Sequence, residues 1–131
     1  MSNPDPISVF RTEAAECLEQ IESGLLDLTR DPLPKADLLF SRDCLVHLSF
    51  ADVRRALGGV LRSGIPYLLT TTFPGGASNE DIVTGDWRPL DLERPPFSFP
   101  RPLRLIEEGC TEGDGRFAGK SLGLWRVADL A

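Results

Sequence analysis

The chain has 131 residues, 41% of them hydrophobic and 26% charged, with a formal net charge of −6. That length suits one domain able to bury roughly two-thirds of its unfolded surface, while the acidic balance argues against a nucleic-acid footprint, which needs clustered Lys and Arg, and favours a small neutral or cationic ligand. Cys17, Cys44 and Cys110 are odd in number and lack C-x-x-C spacing, no segment approaches the roughly 20 apolar residues of a membrane span, and no signal-peptide pattern opens the chain, so a cytoplasmic protein without disulfides, zinc or a membrane anchor is expected.

In chain order, Asp5 suits an N-cap and Pro6 a first helical position. Ile7, Phe10, Ala14, Cys17, Ile21 and Leu25 then recur at three- and four-residue steps, which predicts an amphipathic helix over Asp5–Leu25. Its other faces carry Glu13, Glu16, Glu19 and Glu22, read as a solvated surface. After a Pro-rich turn, Asp37–Ser41 is short and nearly continuously apolar, as in a strand buried on both faces and central in its sheet. Ser49, followed by Asp52 three residues later, opens a second helix whose apolar face holds Phe50, Val53, Leu57, Val60 and Leu61, and Gly64 and Pro66 stop it. Tyr67–Phe73 is β-branched and apolar. Strand, helix and strand together make a βαβ unit, and the fold class is α/β.

The stretch from Ala77 to Pro102 is rich in Pro, Gly and charge and predicts a long ordered loop or lid, with Trp87, Phe97 and Phe99 as apolar anchors. Leu103–Glu108 and Ser121–Val127 alternate like strands and are expected to pair as an antiparallel hairpin at one sheet edge. In open α/β sheets ligands bind beyond the carboxyl ends of strands, which singles out Ser41, Arg42, Asp43, Cys44 and His47, the only histidine.

From Leu26 onward the phrases L-D-L-T-R-D-P-L-P-K-A-D-L-L-F-S-R-D-C-L-V-H-L-S-F, Y-L-L-T-T-T-F-P, D-I-V-T-G-D-W-R-P-L-D-L and K-S-L-G-L-W come in an order that resembles the C-terminal half of class I S-adenosylmethionine-dependent methyltransferases. The resemblance implies a partial Rossmann-like sheet: the family's third strand would end near Leu26, its fourth would be Asp37–Ser41, its fifth Tyr67–Phe73, and its sixth and seventh the closing hairpin. It implies S-adenosylmethionine as cofactor and an unidentified small-molecule or protein methyl acceptor.

Carried over, Asp27 would face the adenine amino group, its alternative being a turn residue. Ser41, Arg42, Asp43 and Cys44 would line the methionine end and the methyl-transfer site. Asp43 would orient the acceptor or take its proton, or else act as a cap or an ion-pair partner of Arg42. His47 is either a base near neutral pH or a packed, hydrogen-bonded side chain. Phe73 would border the acceptor, and Trp87 and Arg88 would cover it or contact a carboxylate, unless Trp87 simply pins its loop. Glu107, Glu108, Glu112 and Asp114 read as solvated hairpin acids.

The family's glycine-rich cofactor turn and the acidic end of its second strand have no counterpart here. In their place D-P-I-S-V-F-R-T-E-A-A-E-C-L-E-Q-I-E-S-G-L-L resembles the opening of a chemotaxis-kinase-type histidine phosphotransfer domain. The expectation is therefore a truncated or fused methyltransferase-like protein of weak or no activity, or alternatively a non-catalytic interaction or signalling module using its acidic helix. A sheet lacking its first strands would expose an edge, to be covered by the N-terminal helix or paired with a second copy in a homodimer.

Overall fold

A computed structural model describes residues 27–131. The helix expected over Asp5–Leu25 and the phosphotransfer resemblance carried by it lie outside the described residues. The remainder is a mixed α/β fold built from strand β1 (Leu38–Ser41), helix α1 (Phe50–Ser63), β2 (Tyr67–Thr72), β3 (Arg104–Glu107) and β4 (Ser121–Arg126), with short 3-10 turns at Leu45–His47, Glu112–Gly115 and Val127–Leu130.

The four strands form one sheet in the order β1-β2-β4-β3. β1 and β2 run parallel with Leu38 opposite Tyr67 and Ser41 opposite Thr70, as a strand–helix–strand crossover through α1 requires. β4 is antiparallel to both β2 and β3, so the last strand lies between β2 and its hairpin partner. The helix and strands expected within the described residues are thus present with ends shifted by a residue or two.

α1 starts where Ser49 accepts a hydrogen bond from the Asp52 N–H at 3.2 Å and stops at Gly64, whose φ of 76° is left-handed. Asp52 does not close the capping box directly. The Ser49 N–H donates to Thr84 Oγ1 at 2.9 Å and that hydroxyl donates to Asp52 Oδ2 at 2.6 Å, while the Phe50 N–H donates to Asp81 Oδ1 at 2.8 Å. The loop after β2 therefore satisfies the first amides of α1.

Val53, Ala56 and Val60 of α1 pack on Leu68 of β2, and the core continues through Leu45, Val46, Leu90, Leu92, Phe99 and Trp125. Full burial of each large side chain contributes about 1.5–3 kcal/mol. The segment from Phe73 to Leu103 carries no helix or strand yet is held firmly. Leu90, Leu92 and Phe99 enter the core, the Phe99 ring meets Trp125 edge-on at 5.1 Å, and the Trp125 indole N–H donates to the Pro100 carbonyl at 2.7 Å. Asn79 clips the segment to itself, donating to the Asp91 and Pro95 carbonyls and accepting from the Asp91 N–H. It is the ordered loop the sequence predicts, covering the part of the sheet that α1 does not reach. The Trp125 ring lies over Gly123, where a Cβ would stand 2.5 Å from it, so that strand position admits no side chain with the ring in place.

One expectation is corrected. β1 is an edge strand among the described residues, not a central one, and it is not buried on both faces. Leu39 and Ser41 face α1, whereas Leu38 and Phe40 share the opposite face with Tyr67, and Phe40 is 54% exposed. A run of apolar residues in a strand records apolar neighbours on both sides but does not supply them. On that open face Leu38, Phe40, Tyr67 and Ile106 are all exposed. No helix among the described residues is long and apolar enough to cross a membrane.

Candidate functional site

Strand register brings four chain segments to one end of the sheet. β1 and β2 finish there at Ser41 and Thr72, β4 begins there at Ser121, which pairs with both Thr72 and Glu107, and β3 ends there at Glu107. The residues just beyond, Arg42 and Asp43, Phe73, Lys120 and Glu108, are therefore neighbours. Asp43, Phe73 and Lys120 among them line a cavity of about 310 Å³.

Asp43 is placed by its backbone. Its φ of 55° is left-handed, and its N–H donates to Thr71 Oγ1 at 2.9 Å, which ties the loop to the end of β2. Lys120 Nζ lies 2.6 Å from the Asp43 carboxylate and 3.6 Å from that of Glu108, while Arg42 Nε lies 3.0 Å from Glu108 and 3.9 Å from Asp43. Two cations and two carboxylates alternate, so the group is neutral as a whole. The hydrogen bond to Asp43 raises the Lys120 pKa, and that to Glu108 raises the Arg42 pKa.

His47 lines the same cavity. Its Nδ1 lies 2.9 Å from the Asp86 carbonyl oxygen, an atom that can only accept, so Nδ1 carries a proton. In the neutral ring the lone pair is then on Nε2, the form of a general base or hydrogen-bond acceptor. The turn holding His47 is fixed by Arg88, which is 4% exposed. Its guanidinium donates to the carbonyls of Leu45 at 3.1 Å, Val46 at 2.9 Å and Leu48 at 2.7 Å, and its Nε to that of Glu80 at 3.0 Å. Burial lowers the Arg88 pKa, and the ring of Phe50 lies 5.5 Å from the guanidinium carbon. Arg88 thus anchors main chain, although it also borders a smaller cavity of about 210 Å³ with Phe73, Asn79 and Asp91.

Phe73, Trp87 and Phe117 form the aromatic wall of the larger cavity. Trp87 meets Phe117 at 5.0 Å between centroids and Phe73 at 6.1 Å, and Phe73 meets Phe117 at 6.1 Å, with all three pairs of planes within about 12° of perpendicular (78°, 86° and 81°). Cys110 and Glu112 complete the lining.

Of the residues singled out in the sequence, Asp43, His47, Phe73 and Trp87 are brought together here. The proposed cofactor ligands are not. Asp27 sits in a turn of its own, accepting from the Thr29 N–H at 2.9 Å and the Thr29 hydroxyl at 2.6 Å, bonds that with nearby Arg30 lower its pKa. Ser41 is buried under α1 among Leu39, Leu45, Ala56 and Leu68, and its hydroxyl has no hydrogen-bond partner among the described residues, as is true of Thr70 opposite it. Arg42 is engaged by Glu108, and Cys44 is half-buried at the start of the Leu45–His47 turn. The four do not line one cavity among the described residues.

Lys120, Glu108, Glu112 and Phe117 were not legible as site residues, because the pairing of β4 with β2 and β3 brings Lys120 to Asp43, Phe117 to Trp87, Glu108 to Arg42 and Glu112 to the cavity from far along the chain. Comparison of the chain with protein-family models, with characterised proteins and with solved structures finds no match.

Proposed function

We propose that residues 27–131 are the acceptor-side part of a Rossmann-like, S-adenosylmethionine-dependent methyl-transfer site in a cytoplasmic protein, and that they hold the cofactor weakly when unaided. The single observation that carries this is the cavity beyond the ends of parallel β1 and β2, with His47, Asp43 and three aromatic rings around it. Such a mouth is where open α/β sheets bind ligands. The parallel β1–α1–β2 unit followed by an antiparallel hairpin also agrees with the arrangement the family resemblance implies. In methyl transfer a protein mainly holds the acceptor in line and removes its proton. We assign the second task to His47 rather than Asp43, because Lys120 occupies the Asp43 carboxylate.

Titration of the whole chain with S-adenosylmethionine, followed amide by amide in ¹H–¹⁵N spectra, tests both parts. We expect shifts at Asp43, Cys44 and His47 with a Kd on the order of 1 mM, equivalent to about −4 kcal/mol. No shift at those amides at any concentration sinks the methyl-transfer reading, whereas a Kd of about 10 μM or tighter shows that a cradle exists after all.

A second reading, a non-catalytic interaction module, is favoured by the open sheet face. Exposed Leu38, Phe40 and Tyr67 lie beside the edge of β1, which has no second strand partner among the described residues, and Ile106 is exposed on the same face at the other edge, the kind of surface that partners or a second copy cover.

A further inference from the structure

We propose that Phe73, Trp87 and Phe117, together with the carboxylate of Glu112, form a recognition site for an organic ammonium group. Within the methyl-transfer reading, on which its biological role rests, the acceptor is then an amine.

Three rings whose planes stand pairwise near perpendicular at 5.0–6.1 Å between centroids are arranged like the walls of a box corner, and all three border the same cavity. Aromatic faces carry negative quadrupolar charge and attract cations, most strongly those with a diffuse, weakly hydrated charge such as alkylated ammonium. Phe117 is already engaged in this way, with the guanidinium carbon of Arg116 5.6 Å from its centroid, although Arg116 does not line the cavity.

Charge bookkeeping around the cavity points the same way. Asp43 and Glu108 are held by Lys120 and Arg42. Glu112 borders the cavity and has no ion-pair partner among the described residues. One uncompensated carboxylate beside three rings selects a cation over a neutral or anionic guest. The net charge of −6 adds a long-range attraction of the same sign. A cavity of about 310 Å³ accommodates a trimethylammonium head with part of its chain.

Choline and its uncharged isostere 3,3-dimethylbutan-1-ol, titrated into the full chain without S-adenosylmethionine, provide the test. Choline is expected to shift the indole signal of Trp87, with the isostere binding about 10-fold more weakly, because it matches the shape and lacks the charge. Trp87→Ala should weaken choline about 10-fold while Trp87→Phe retains most of the affinity. Glu112→Gln, at an exposed position where folding is not at stake, should weaken choline several-fold and reduce the salt dependence of binding. Equal affinity for choline and the alcohol, unchanged choline affinity in both Trp87→Ala and Glu112→Gln, or no choline binding overturns the proposal. Since no arm uses the methyl donor, choline failing while S-adenosylmethionine still shifts Asp43 and His47 removes only the ammonium site.

Discussion

Replacing Arg88 by alanine should be among the most damaging single changes in the described part of the chain. The guanidinium is 4% exposed and donates to four main-chain carbonyls, those of Leu45, Val46, Leu48 and Glu80, at 2.7–3.1 Å. The Leu45 and Val46 carbonyls keep a backbone donor, from the Leu48 N–H and from the N–H of residue 88 itself, so the change leaves those of Leu48 and Glu80 without one, at about 1–3 kcal/mol each. Water entering the vacated space recovers part of that, as does the relief of desolvating a guanidinium that has no carboxylate within ion-pair distance among the described residues. Weighing these, we expect Arg88→Ala to cost about 3 kcal/mol, a large fraction of the usual 5–15 kcal/mol total. Arg88→Lys should cost about 1–2 kcal/mol, since one ammonium cannot span acceptors set out for a planar fork. Guanidinium denaturation followed by the fluorescence of buried Trp125 measures both. The variant should also loosen the Leu45–His47 turn, seen as faster amide exchange at His47 and Leu48. An Arg88→Ala stability within about 0.5 kcal/mol of the parent, at an unchanged denaturant slope, would refute the assignment of Arg88 as the anchor of that turn.

The acid side of the stability profile should depend on the cap of α1. The bond from Thr84, ahead of that from Arg55, lowers the Asp52 pKa below its ordinary value of 3.8. A carboxylate lowered on folding stabilises the fold above its unfolded pKa, and that contribution is lost as pH falls through the lowered folded value. Thr84→Val should therefore reduce the melting temperature at about pH 6 and flatten its decline below about pH 4, and parallel profiles for the two proteins would count against the relay. On the interaction-module reading, the open face predicts a sedimentation coefficient that rises with concentration and a Phe40→Lys variant that stays monomeric. A parent chain that is monomeric at all concentrations would show that the face is not used for self-association.

Local chemistry carried much of the architecture. The Ser49 cap, the Val53 and Val60 spacing and Gly64 bound α1 on their own, because capping and helical periodicity act within a few residues. The β-branched run at Tyr67–Thr72 and the alternation at Ser121–Arg126 likewise identify strands without reference to their neighbours. Asp43 and His47 stood out from the sequence because a polar loop after an apolar strand is a general ligand-binding position.

What surrounds them was decided by long-range pairing. Lys120 reaches Asp43, and Phe117 reaches Trp87, because β4 pairs with β2 and so starts at the end of the sheet where β1 and β2 finish. Among the described residues the same strand order leaves β1 at an edge with Phe40 exposed, a partner count that no strand encodes in its own residues. Composition and spacing determined which segments are helix and strand and where a polar loop follows an apolar strand. Tertiary structure alone decided which charges pair, which carboxylate borders the cavity without an ion-pair partner among the described residues and which sheet face is exposed, since those depend on distances between residues far apart in the chain.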